Sequence, residues 1–95
     1  MKILAIEKEI EGVTWNNMEA VLAEEAAHVF QLYLSDHIRE IYFTEDKNAV
    51  LVLEADSKNT AKELLDSLPL VKSKKIWFDM MELRPYNGFE RIIKI

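Results

Sequence analysis

Three segments of this chain have the character of β-strands but are apolar on both faces. They are residues 38–43, 50–53 and 76–81. Successive residues of a strand point to opposite sides of a sheet, so these strands present apolar side chains to both sides. An antiparallel strand with one wet face would alternate apolar and polar residues. The predicted sheet therefore needs cover on both faces, and a chain of 95 residues has little left to supply it.

The hydrophobic periodicity predicts six elements in the order strand, helix, strand, strand, helix, strand. The strands are predicted at residues 2–10, 37–44, 49–55 and 74–83, and the helices at about 16–34 and 57–68. A capping box of Asn16 and Glu19 would begin the first helix, and Pro69 would end the second. This order is that of the α+β, ferredoxin-like βαββαβ fold, whose four-stranded antiparallel sheet carries both helices on one face.

Two helices can cover only one face of the sheet, so the other face needs a partner. A second copy of the chain would cover it in a sheet-to-sheet homodimer, or in a larger oligomer built from such dimers. The C-terminal tail is also too apolar for a solvated end, with Ile92, Ile93 and Ile95. The tail is predicted to add an edge strand or to cross to a partner chain. The alternative, which the sequence supports equally, is that it forms a final strand within its own sheet.

Composition excludes several classes of protein. Residues 1–95 are predicted to form one domain, with 49% hydrophobic and 31% charged residues typical of a globular chain. A net charge of −5 argues against a nucleic-acid partner. The start meets charge too early for a signal peptide and no apolar run is long enough to span a membrane, so the expected location is cytoplasmic. With no cysteine and two glycines, neither a thiolate nor a phosphate-binding loop is available, and no metal or cofactor is expected.

Glu25 is the first candidate for chemistry. At 100° per residue it falls within the predicted apolar stripe of the first helix, between Leu22 and Val29, and His28 lies at the border of that stripe. A carboxylate turned toward a core must be paired, or its pKa rises, which suits a general acid or base. Glu25 and His28 are therefore the predicted catalytic residues. The alternatives are that Glu25 reaches water or pairs with an arginine, and that His28 is a solvated or packing residue.

Four further residues are predicted to bind a substrate. Arg39, which strict alternation places with Ile41 and Phe43, could hold an anionic group, and it could equally form an ion pair. Tyr33 and Tyr42 could present hydroxyls to a ligand, and Trp77 could line a cavity; all three could instead be core residues.

The second half of the chain resembles the muconolactone isomerase family and its relatives in the dimeric α/β-barrel superfamily. The resemblance is carried by residues 38–42 (IREIY), 50–54 (VLVLE) and 64–70 (LLDSLPL), where Leu-Pro-Leu looks like the helix end that precedes the final strand of those isomerases. Glu25 also falls where the isomerases have an acidic residue in a charged helix segment. Tyr42 and Phe43 stand where those enzymes have tryptophan and basic residues.

The resemblance implies a cofactor-free isomerase that moves a proton between two carbons of a small lactone or aromatic-derived acid. Glu25 would be the base, Arg39 would hold a substrate carboxylate, and a tyrosine would support the enolate oxygen. Two alternatives remain within the same fold. One is a non-catalytic module that binds a small ligand or takes part in a stress response, and the other is a cofactor-free monooxygenase acting on an electron-rich aromatic.

Overall fold

The α+β fold predicted from the element order is confirmed by the computed structural model, which describes residues 1–93. The sheet has four antiparallel strands in the order β2-β3-β1-β4. In chain order the elements are β1 (Lys2–Glu9), α1 (Glu19–Leu34), β2 (Ile38–Phe43), β3 (Ala49–Glu54), α2 (Lys58–Asp66), α3 (Pro69–Lys72) and β4 (Ile76–Leu83).

The main core lies between one face of the sheet and the helices. Ile3 of β1 lies opposite Leu53 of β3, and Ala5 lies opposite Leu51. All four side chains are buried, and they form one cluster with three helical residues, Leu32, Ala61 and Leu65. A second, smaller cluster consists of Met18, Leu70 and Ile76. Both long helices therefore pack on the same side of the sheet, as the fold class requires.

The other face of the sheet is apolar and uncovered. We call it the open face. The register places on it the apolar residues Leu4, Ile6, Tyr42, Val50, Val52, Trp77, Met81 and Leu83, and also the charged residues Lys2, Lys8, Glu40, Glu54 and Asp79. Trp77 is 48% exposed and Tyr42 is 58% exposed, because no helix in residues 1–93 packs on this side. The chain therefore covers one of the two faces of its sheet with its own helices and leaves the other face uncovered.

The helix ends differ in part from their prediction. The capping box is wrong: α1 begins after Met18, whose side chain makes no capping hydrogen bond. The start of α2 is capped by Ser57, whose hydroxyl accepts the Thr60 N–H at 3.0 Å. Pro69 separates α2 from a further short helix, α3, in which it occupies the first turn. Proline is favoured there because its missing N–H would have no partner in the helix.

The buried face of α1 is rotated from the predicted stripe. The residues that are buried or half-buried are Met18, Val21, Glu25, His28, Val29 and Leu32. The helical spacing also places Leu22, Ala26, Phe30 and Tyr33 in the predicted apolar stripe. These four residues are exposed, and we call them the outer face of α1. Apolar residues lie on most sides of α1, so its periodicity alone does not determine which side is buried.

A β-bulge interrupts the edge strand β2. Ile38 pairs with Leu53 and Glu40 pairs with Val52, so β2 has one extra residue at this point. Glu40 and Tyr42 consequently lie on the open face, while Ile38 and Ile41 share the other face. The bulge falls at Arg39, so strict alternation does not assign that side chain to a face.

Residues 84–93 form what we call the arm. They extend from the end of β4 and contain one turn of 3-10 helix, Gly88–Arg91, so the expected final strand is not found in residues 84–93. Ile95, the last residue of the predicted tail strand, lies outside the described residues. The structure measures 58 × 26 × 21 Å and its radius of gyration is 15.7 Å. A chain of this length would have a value of about 12 Å if fully compact, so the arm projects from the body.

Candidate functional site

Glu25 connects α1 to the start of α3. Its Oε1 accepts the backbone N–H of Leu70 at 3.0 Å. That N–H belongs to the first turn of α3 and has no partner within its own helix. Glu25 therefore acts as a capping group supplied by a different helix, and the Leu-Pro-Leu segment is where it binds.

His28 makes a second connection one turn further along α1. Its Nε2 lies 3.1 Å from the hydroxyl of Ser67, and that hydroxyl donates to the carbonyl of Leu64 at 2.6 Å. Because the single hydroxyl proton is used for Leu64, the histidine must be the donor and carry a proton on Nε2. Glu25 and His28 together fasten α1 to the junction of α2 and α3.

The environment of Glu25 favours its protonated form. The side chain is half-buried, and this burial raises the pKa of the carboxyl above its usual value of 4.5. The hydrogen bond from Leu70 and the nearby His28 act in the opposite direction, and burial outweighs them. A carboxyl group shifted toward neutral pH can both accept and return a proton.

Glu7 is a second half-buried carboxylate on the same side of the sheet. It lies opposite Phe78, which packs against the core, so its side chain faces the helices. Burial is the largest cause of a raised pKa at Glu7, and the negative charges of Glu9 and Glu25 raise it further. The N–H of Ala49, which donates to Glu7 Oε1 at 3.4 Å, partly offsets this shift. Both carboxylates thus lie on the helix side of the sheet with pKa values raised mainly by burial.

These two carboxylates lie between the two core clusters. On α1, Glu25 comes between Met18 of the smaller cluster and Leu32 of the main cluster. On β1, Glu7 follows Ala5 of the main cluster. Glu7 is not among the residues predicted for the site, although the alternation of Ile3, Ala5 and Glu7 on one face of β1 identifies it. The layer between α1 and the sheet is therefore the candidate functional site.

The four predicted substrate-binding residues lie elsewhere. Tyr33 belongs to the outer face of α1, and Trp77 lies on the open face. Arg39 is exposed at the edge of the sheet, where its Nε donates to the carbonyl of Asp36 at 2.9 Å. Tyr42 lies on the open face and donates to Glu40 Oε1 at 2.9 Å, a bond that raises the pKa of the tyrosine. In the structure, Glu25 and His28 lie on the same side of α1, and the four predicted substrate-binding residues lie away from both.

Two surface clefts lie away from the carboxylates. One, of about 150 Å³, is bordered by Trp77, Phe78 and Met80 of β4 together with residues of α2 and α3. The other, of about 470 Å³, lies at the end of the sheet beside Met1, Glu54 and Arg84. Within residues 1–93, no group of three or more carboxylates or histidines is arranged to hold a metal ion. No helix of the same region is long and apolar enough to span a membrane.

Comparison with known proteins supports the fold and does not identify a reaction. No protein-family profile and no curated protein sequence matches the chain. Among solved structures, the chain is similar to 5-chloro-2-hydroxyhydroquinone dehydrochlorinase (TftG) from Burkholderia phenoliruptrix AC1100, in complex with 2,5-dihydroxybenzoquinone. The match has a TM-score of 0.61 and 19% sequence identity, and it covers 88% of this chain and 94% of that chain. At this identity the likeness establishes a shared fold.

Proposed function

We propose that this chain is a cofactor-free proton-transfer protein of the dimeric α/β-barrel type, acting on a small lactone or hydroxylated aromatic acid. The observation that carries the proposal is the pair of half-buried carboxylates, Glu7 and Glu25, with pKa values raised mainly by burial. Isomerisation of an activated carbon acid needs one group that removes a proton and returns it. Glu25 is assigned that role, because burial is the largest cause of the raised pKa of its carboxyl.

The similar solved structure supports the class of ligand. That protein is a dehydrochlorinase in complex with 2,5-dihydroxybenzoquinone, which is a small planar ring with acidic hydroxyls. A ring of this kind has exchangeable protons and stabilised anions, so it suits a carboxylate base without a metal. Hydroxyquinones and unsaturated lactone acids are therefore the first compounds to offer this protein.

A face-to-face homodimer is the second part of the proposal. It is supported by the open face, where Trp77, Met81 and Leu83 remain exposed in the single chain. Contiguous apolar surface of this extent is typical of an interface. In such a dimer Tyr42 and Trp77 would lie between the two sheets, where their aromatic rings would serve packing or line a shared cavity.

Deuterium incorporation tests the proton-transfer role directly. Each candidate compound is incubated with the protein in D2O, and exchange at carbon is followed by proton NMR. We expect catalysed exchange with the wild type and its loss in Glu25→Gln, because glutamine cannot accept a proton but can still bind the Leu70 N–H. Glu24→Gln, the exposed neighbour on α1, is the matched control and should keep full activity. Equal exchange in the wild type and in Glu25→Gln would remove Glu25 from the mechanism.

A non-catalytic ligand-binding module is the second candidate function. It is favoured by the hydrogen bonds of Glu25 to Leu70 and His28 to Ser67, which already give both residues a structural task. Binding of a compound, measured by calorimetry, without any deuterium exchange would support this candidate over the enzyme. Oxygen consumption in the same samples would instead indicate the monooxygenase alternative.

A further inference from the structure

The arm has its own folded structure although it lies outside the body. The rings of Tyr86 and Phe89 pack edge to face with centroids 5.0 Å apart. A side chain at Gly88 would meet the Tyr86 ring and displace it from this position. A frayed terminus would have no such specific local packing. The arm is therefore preorganised, which lowers the entropy lost when a segment binds.

The side chains of the arm are unusually apolar for a projecting segment. Tyr86 is 74% exposed, Phe89 61%, Ile92 79% and Ile93 54%. Single exposed apolar residues are common, but four within eight positions form a patch. Neither core cluster includes a residue of the arm, and the structure is elongated, with a long axis of 58 Å. The core of the chain therefore does not bury these side chains.

The outer face of α1 is a matching apolar surface. Leu22, Phe30 and Tyr33 are 44%, 55% and 49% exposed, and Glu19 is exposed one turn before Leu22. From Leu22 to Tyr33 the helix rises about 17 Å. The segment from Tyr86 to Ile93 includes the 3-10 turn, so it spans less than its fully extended length of about 25 Å. The two surfaces thus have comparable lengths, and the outer face of α1 lies on the side of the sheet opposite the open face.

Charge favours a second copy of this chain as the partner. The arm carries two arginines and one glutamate, whereas the chain as a whole has 17 acidic and 12 basic residues. Of the three acidic residues of α1, Glu19 lies on the outer face, whereas Glu25 is half-buried and Glu24 is on the opposite side of the helix; none of the residues of α1 is Lys or Arg. We infer that the arm of one chain docks on the outer face of α1 of a second copy, with Arg91 near the acidic start of that helix.

Disulfide trapping tests this contact, because the chain has no cysteine of its own. A Phe89→Cys variant labelled with nitrogen-15 is mixed with unlabelled Phe30→Cys, allowed to exchange subunits and oxidised. The matched control replaces Phe30→Cys with Asn59→Cys, an exposed position on α2. Intact mass identifies the mixed disulfide, and we expect about tenfold more of it with Phe30→Cys, because docking raises the effective concentration.

Three results would overturn the inference. One is an equal yield of mixed disulfide with the two partners. Another is the absence of any mixed disulfide while circular dichroism shows that both variants are folded. The third comes from a chain carrying both Phe30→Cys and Phe89→Cys: a disulfide formed mainly within one chain would show that the arm folds back on its own helix.

Discussion

Replacing Glu25 with alanine should destabilise the protein, whereas replacing it with glutamine should not. Alanine removes the acceptor of the Leu70 N–H, and Leu70 is only 5% exposed, so that donor is left without a partner. Hydrogen bonds to charged groups contribute about 1.5–3 kcal/mol. Glutamine keeps an oxygen that can accept the Leu70 N–H, so the hydrogen bond is weakened but not lost. Glutamine also removes a charge whose burial is unfavourable, and this gain opposes the weakening of the hydrogen bond.

The difference in stability between wild type and Glu25→Gln should depend on pH. The pKa of Glu25 is raised in the folded protein, so between the unfolded and folded values the folded chain binds more protons. The stability of the wild type therefore falls as pH rises through that window. Above the folded pKa, Glu25 is charged in both states and its charge destabilises the folded protein to its full extent. Glutamine does not titrate. The stability of Glu25→Gln relative to wild type should thus increase from pH 4 to pH 7. The variant also lacks the charge that helps to raise the pKa of Glu7, and this change acts in the same direction.

Urea denaturation followed by circular dichroism measures these differences at one protein concentration, since self-association changes apparent stability. For a domain of this size, 1 kcal/mol also corresponds to about 4–8 °C in the midpoint of thermal unfolding. Glu24→Ala and Glu24→Gln, at an exposed position of the same helix, should both be close to wild type. If Glu25→Gln is as unstable as Glu25→Ala at pH 7, the capping role assigned to Glu25 is wrong.

Two further substitutions test other parts of the structure. Ser57→Ala should lower stability by about 1 kcal/mol in the same urea assay, because it removes the acceptor of the Thr60 N–H at the start of α2; an unchanged midpoint would contradict that capping bond. Trp77→Glu should reduce the mass in solution, measured by light scattering, from dimer to monomer while circular dichroism stays unchanged, because it places a charge on the open face. A dimer that persists in Trp77→Glu would mean that the sheets do not pair through this surface.

The strands were the most predictable part of this protein. Alternation and turn residues located β1 and β3 with an error of one residue at the end, and β2 with an error of one residue at each end. The face of α1 could not be predicted, because apolar residues surround that helix and only tertiary packing selects the buried side. Pro69 illustrates the same limit: the sequence predicts that it ends a helix, and it also begins the short helix α3, which the sequence did not predict.

The candidate site was predicted in part. Helical spacing identified Glu25 as a carboxylate turned inward, since its neighbours in the periodic pattern are apolar. The partner of that carboxylate is a backbone N–H 45 residues away, and no local pattern encodes such a contact. Glu7 needed the pairing register of β1 to be recognised as facing the helices. Whether Glu25 and His28 are catalytic stays a prediction.

The bulge in β2 also bears on whether chains of this protein join edge to edge. β2 is an outer strand of the sheet, and a regular outer strand offers unpaired backbone groups to any strand that approaches. The extra residue at Arg39 distorts this hydrogen-bonding edge, and the charges of Arg39 and Glu40 oppose the burial that strand addition would bring. A protein with so much apolar surface can therefore self-associate through faces while its β2 edge resists the growth of fibrils.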